Sequence, residues 1–184
     1  DNRNFDLKSS KGMVIASHLS NFIYGCRVVN HYFHPFSAII REQKNKKIHD
    51  DYYQCLTKDG FTLLDFRKDL KKIFYFQIPK EHWLGLLVDQ DAGKKGVYVP
   101  FMKEKASTFP GTALLLKKYK MPAYMAFMKL DNNLNYTLFL EKFYPEYSSS
   151  VEEITENINQ KIGDFIYKYP YEWFWFHRRW KTKM

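Results

Sequence analysis

Apolar residues recur along this chain in two rhythms, short runs of β type and longer stretches at helical spacing, and the two alternate. A sheet covered by crossover helices has that order, so the pattern predicts an α/β layer fold, an αβα sandwich with a mostly parallel sheet. Strands are expected at residues 13–17, 36–40, 62–64, 84–88, 122–130 and 136–143. The last two flank Asp131-Asn132-Asn133, a turn composition that pairs them antiparallel. Helices are expected at 21–32, 46–58, 67–77, 110–119 and 151–167, with Pro110 at a first helical position. In the last helix Ser150 and Glu153 have capping-box spacing, and Ile154, Ile158, Ile162, Phe165 and Ile166 form one apolar stripe, a core face.

The first apolar run, Gly12-Met13-Val14-Ile15-Ala16, ends in Ser17-His18 and gives way to Leu19-Ser20-Asn21. In open α/β sheets ligands bind beyond the carboxyl ends of strands, and imidazole is the side chain best suited to proton transfer near neutrality. His18 is therefore the first candidate for chemistry. A second strand-like run ends in Asp89-Gln90-Asp91 before Gly93, which either places carboxylates beside the site or is an Asx turn closing a βα connection. Two aspartates without a histidine neighbour make a poor specific metal set. Residues 167–181 alternate large rings with cations, including Trp173, Trp175, Arg178, Arg179 and Trp180. On physics alone such a line suits a membrane interface or nucleic-acid phosphates and bases.

The chain has 184 residues, enough for one core, and 29 basic against 20 acidic residues give a net charge of +9. Nucleic acid, anionic lipid headgroups and an acidic carrier protein all fit that charge, although no RNA-binding motif accompanies it. Cys26 and Cys55 are expected to be buried and reduced. Neither has a Cys-His context and Ser17 has no nucleophile elbow, so covalent catalysis through these residues is set aside. No apolar run is long enough to span a bilayer.

Residues 11–25 (KGMVIASHLSNFIYG), 87–113 (LVDQDAGKKGVYVPFMKEKASTFPGTA) and 170–181 (PYEWFWFHRRWK) together resemble the lipid A biosynthesis acyltransferase family, the late acyltransferases. These acylate a glycolipid hydroxyl from an acyl carrier protein thioester. The resemblance implies a glycerolipid acyltransferase-like fold over 1–184, expected as one domain of a longer protein with an upstream membrane anchor. It implies His18 as general base, with Asn21, Asp89, Gln90, Asp91, Phe101, Thr108, Arg178 and Arg179 binding substrate and no metal or cofactor. Arg178 and Arg179 are expected to face lipid or phosphate. The implied partners are an acyl carrier protein or coenzyme A thioester, a glycolipid acceptor and an anionic membrane surface, with no specific nucleic acid. The implied location is the cytoplasmic face of the bacterial inner membrane.

The family's signature places Glu or Asp five positions after the histidine, and this chain has Ile23 there. A positioned general base contributes about 10² to 10⁴ in rate, and spoiling its orienting carboxylate costs on the order of 10⁴. Two readings follow. Either Asp65 or Asp89, at predicted strand ends, supplies the missing bond through the fold, or the chain is an impaired homologue that binds membrane or carrier protein. Leu56 and Lys129 stand where the family has arginines, and Met102-Lys103 replace a glycine.

Overall fold

A computed structural model describes residues 11–33, 35–41, 45–58, 60, 62–65, 68–69 and 82–183. The alternation within β1 (Gly12–Ala16) sets the layering: Met13 and Ile15 enter one core, while Val14 and Ala16 face the other. A strand buried on both faces reads as an unbroken apolar run, which is why this segment lacks polar positions.

Among the described residues β1 lies inside a six-stranded sheet of order β3-β2-β4-β1-β7-β8. Its members are β2 (Phe36–Ile40), β3 (Thr62–Asp65), β4 (Trp83–Leu87), β7 (Ala123–Leu130) and β8 (Tyr136–Phe143). Within this sheet every described pairing is parallel except β7 with β8, where Asp131 Oδ1 accepts the N–H groups of Asn133 and Asn135 and closes the turn. Helices α1 (Phe22–Tyr32) and α2 (Lys46–Thr57) cover one face through Val29 and Leu56. Helices α3 (Gly111–Tyr119) and α4 (Val151–Lys168) cover the other through Leu115, Leu116, Ile154, Ile158, Ile162 and Ile166. This is the predicted αβα sandwich. The helix expected at 67–77 lies outside the described residues.

Capping chemistry explains most boundary differences. Asn21 precedes α1 as its N-cap and accepts the Tyr24 N–H, and Ser150 and Glu153 form the full capping box of α4. Pro110 stands one position earlier than expected, at the N-cap of α3. Cys55 is exposed rather than buried, because it lies on the outer side of α2.

The sequence pattern misses a hairpin, β5 (Val97–Phe101) with β6 (Glu104–Thr108), which forms a separate two-stranded ribbon. Pro100 hides it, since proline argues against a central strand, but in a two-stranded ribbon each strand is an edge. Met102 takes a positive φ of 58° in the tight turn. The ribbon is pinned to α4 by Asn159 Nδ2, which donates to Pro100 O at 2.9 Å.

Gly12 begins β1 where a methyl group has no room: an added Cβ would lie 2.3 Å from Trp83 Cζ3 and 2.8 Å from the Pro122 carbonyl. Gly12→Ala is expected to destabilise the fold by about 1–3 kcal/mol, read as a lower urea midpoint with an unchanged m-value.

Candidate active site

The sheet topology creates a crevice between β1 and β4. The chain leaves β1 toward α1 on one face and leaves β4 toward the β5–β6 ribbon and α3, whose core is on the other face. Neighbouring strands with connections that diverge in this way open a cleft at their carboxyl ends. The parallel register pairs Ala16 with Leu87, and Val88 N–H extends the ladder to Ala16 O at 3.0 Å. Two residues further along each strand stand His18 and Asp89.

They are in contact. His18 Nδ1 lies 2.8 Å from Asp89 Oδ1, and the His18 backbone N–H donates to Asp89 Oδ2 at 3.0 Å. Asp89 is 2% exposed and His18 keeps 17%, so the carboxylate is interior while the ring reaches the cleft. Burial alone would push the Asp89 carboxyl up. The hydrogen bonds and charge of His18, with the Trp173 indole N–H, outweigh it and hold the group below the usual carboxylate range. An ionised carboxylate only accepts, so whenever the ring is neutral the proton belongs on Nδ1 and the lone pair on Nε2. The Gln90 side-chain amide lies 3.3 Å from Nε2 and donates to it, and the Phe22 ring meets the imidazole edge-on at 4.7 Å.

A C-terminal strap closes over this pair. Trp173 bridges Leu19, Phe174 N–H donates to His18 O at 3.0 Å, and Ser20 N–H donates to Glu172 O. Trp173 Nε1 donates to Asp89 Oδ2 at 2.8 Å. Further along, Thr182 donates to both Asp91 oxygens, through N–H to Oδ1 at 3.3 Å and Oγ1 to Oδ2 at 2.9 Å.

Arg179 departs from the expectation that it faces lipid or phosphate. It is fully buried over the Phe101 ring, donating from Nη1 to the carbonyls of Ser107 and Gln90 and from Nη2 to Thr108 Oγ1. Burial pushes its pKa down to about 10 against the opposing pull of Asp89 and Asp91. Phe101 and Thr108 are buried with it, and Thr108 also accepts from Asn159, so these three brace the cleft from behind. Arg178 is exposed, and Asn21 caps α1.

Of the two carboxylates proposed to replace position 23, Asp65 is absorbed locally, its Oδ1 accepting Lys68 N–H. Ile23 packs half-buried against the α1-side core, and Leu56 is buried there. Lys129 lies over the Tyr169 ring, 4.6 Å from its centroid. Sequence reasoning missed Trp173 as a site residue, because nothing in the alternation of rings and cations distinguishes the one indole that turns inward. His177 also stands near enough to feel the charges of Asp89, Arg179, His18 and Asp91, with burial lowering its pKa. Among the described residues no three His, Cys, Asp or Glu side chains are placed to hold a metal ion.

The sequence profile of the bacterial lipid A biosynthesis acyltransferases matches residues 4–182. The chain belongs to that family. No curated protein matches it. Membership makes the protein an acyltransferase of lipid A biosynthesis, with an acyl donor and a lipid acceptor as substrates. No described helix is long and apolar enough to cross a membrane.

The depressed Asp89 pKa has a signed consequence. A carboxyl whose folded value lies below its unfolded value contributes stability above the unfolded value and loses it as pH falls through the folded one. Asp89→Asn is expected to cost about 2 kcal/mol near neutrality. The gap between parent and variant should close on acidification below the ordinary carboxylate range, measured by urea unfolding across pH.

Proposed function

We propose that the protein transfers a fatty acyl chain from an acyl carrier protein thioester to a glycolipid hydroxyl, with His18 as general base and Asp89 in place of the signature carboxylate. The observation that carries this reading is the 2.8 Å contact between His18 Nδ1 and Asp89 Oδ1 at the mouth of the cleft.

In this mechanism the acceptor hydroxyl displaces the Gln90 amide from Nε2 and gives its proton there as its oxygen attacks the thioester carbonyl. The C–O bond forms, the tetrahedral intermediate collapses with loss of the C–S bond, and the imidazolium returns the proton to the leaving thiolate. Ester and free thiol result, with no acyl-enzyme. Asp89 holds the ring in the tautomer that leaves Nε2 free and stabilises the imidazolium. Cys26 does not compete as nucleophile, since burial pushes its thiol up to about 12.

An apolar cavity of about 50 Å³, room for a few methylene groups of an acyl chain rather than the whole of it, lies between α1 and the sheet. Ser17 and Phe22, on either side of His18 in the sequence, are part of its wall, which continues past Gly25, Cys26 and Met128 to Phe36. The +9 net charge favours an acidic carrier protein as donor. A membrane contact is supported by the strap's outer side, where Tyr171 is 100% and Phe176 90% exposed beside half-exposed Phe174 and Trp175 and the cations Arg178 and Lys181. The impaired-homologue reading rested on Ile23, and the contact of Asp89 with His18 weighs against it.

With acyl carrier protein thioester and a lipid A precursor, His18→Ala is expected to lower turnover by about 10² to 10⁴. Full turnover in that variant would contradict the assignment. Ile23→Glu is expected to give no gain and to destabilise the fold, because the new carboxylate would enter an apolar core. For the membrane contact, flotation with anionic vesicles is expected to weaken with salt and with the double substitution Phe176→Ser and Arg178→Glu. Equal binding to neutral vesicles would contradict that contact.

A further inference from the structure

We propose that Trp173 is the positioning residue of the His18–Asp89 pair, its indole N–H fixing the carboxylate so that Oδ1 stays turned to His18 Nδ1. The inference rests on the general-base reading above and adds a residue from the far end of the chain.

The Asp89 carboxylate receives three N–H donors. Oδ2 takes the His18 backbone at 3.0 Å and the Trp173 indole at 2.8 Å, which leaves Oδ1 for the ring at 2.8 Å. Two donors on one oxygen, from opposite ends of the sequence, determine the plane of the carboxyl group. With one of them removed, the group can rotate about its Cβ–Cγ bond and the ring contact loses its alignment. An acid at position 23 would be tied to His18 through one helical turn. Asp89 instead lies 71 residues away, on the segment that follows β4, and its orientation depends on what packs around it.

Trp173 is suited to hold it. Its side chain is 4% exposed and its ring is caged by Phe101, Trp175 and Trp180, at centroid distances of 5.7, 4.6 and 6.1 Å. The backbone on both sides is bonded to the segment that carries the base, through Glu172 O with Ser20 N–H and through Phe174 N–H with His18 O. One peptide segment therefore fixes the backbone position of the imidazole and the rotation of its carboxylate partner.

The test replaces Trp173 in the full chain with 3-benzothienylalanine, which keeps the bicyclic shape and substitutes sulfur for the N–H, alongside Trp173→Phe. Nitrogen-15 NMR of histidine-labelled protein reads the His18 tautomer without requiring turnover. In the parent the neutral ring is expected as the Nδ1–H tautomer. In the benzothienyl variant the ratio of Nδ1–H to Nε2–H should fall about tenfold, the size of one hydrogen bond to a charged group, with the unfolding midpoint retained. Turnover should fall in kcat with KM unchanged, and Trp173→His, which restores a ring N–H, should recover part of it.

An unchanged tautomer ratio in the folded benzothienyl variant overturns the proposal, even where His18→Ala abolishes turnover and the general-base reading stands. A tautomer shift in a protein that shows no acyl transfer supports the positioning role while the general-base reading fails. If Trp173→Phe does not fold, the benzothienyl variant decides.

Discussion

The parallel register of β1 against β4 is the constraint on which the site depends. With Ala16 opposite Leu87, the residues two places further on are necessarily neighbours, and here they are an imidazole and a carboxylate. A slip of one residue would turn each side chain to the other face of the sheet and separate the pair. The register is secured by apolar packing on both faces, with Met13 and Ile15 on one side and Val14 on the other. Glycine at position 12 lets Trp83 lie close against the start of β1. Core packing and site geometry are in this sense one property, since the strands that hold the fold together also set the distance between His18 and Asp89.

A buried carboxylate must be hydrogen-bonded, and the C-terminal strap shows how the chain meets that requirement. Trp173 supplies a donor to Asp89 itself, Arg179 ties the Gln90 carbonyl to the β5–β6 ribbon, and Thr182 occupies Asp91. The three residues of the Asp89-Gln90-Asp91 segment are thus each held from the same terminal segment. Arg179 is held in the same way: its Nη1 and Nη2 groups donate to Ser107, Gln90 and Thr108, and its face rests on Phe101. What remains on the outside of the strap is apolar and cationic.

Much of this was legible in the sequence. Period-two and period-3.6 runs are local signals, and they located the six strands of the main sheet and the described helices to within a residue or two at their ends. His18 was legible because a polar, titratable residue ending a buried strand breaks the local pattern. The β5–β6 ribbon was not, because Pro100 masks an otherwise alternating strand. The partnership of His18 with Asp89 was only one of two options, since register between strands far apart in sequence is a tertiary property. Trp173 gave no signal, as the direction of an aromatic ring is decided by packing against Phe101 and Trp180. For Arg179 the sequence suggested the opposite of what packing produced, because charge is a poor guide to exposure when a guanidinium finds carbonyl partners and an aromatic face.

The central claim is that His18 and Asp89 act as a unit, and a double-mutant cycle on kcat/KM measures it most directly. Groups that work together lose activity non-additively, because once the base is removed its orienting partner has nothing left to orient. The account predicts that His18→Ala combined with Asp89→Asn, confirmed folded, is no slower than His18→Ala alone. Losses that multiply across the two substitutions would contradict it.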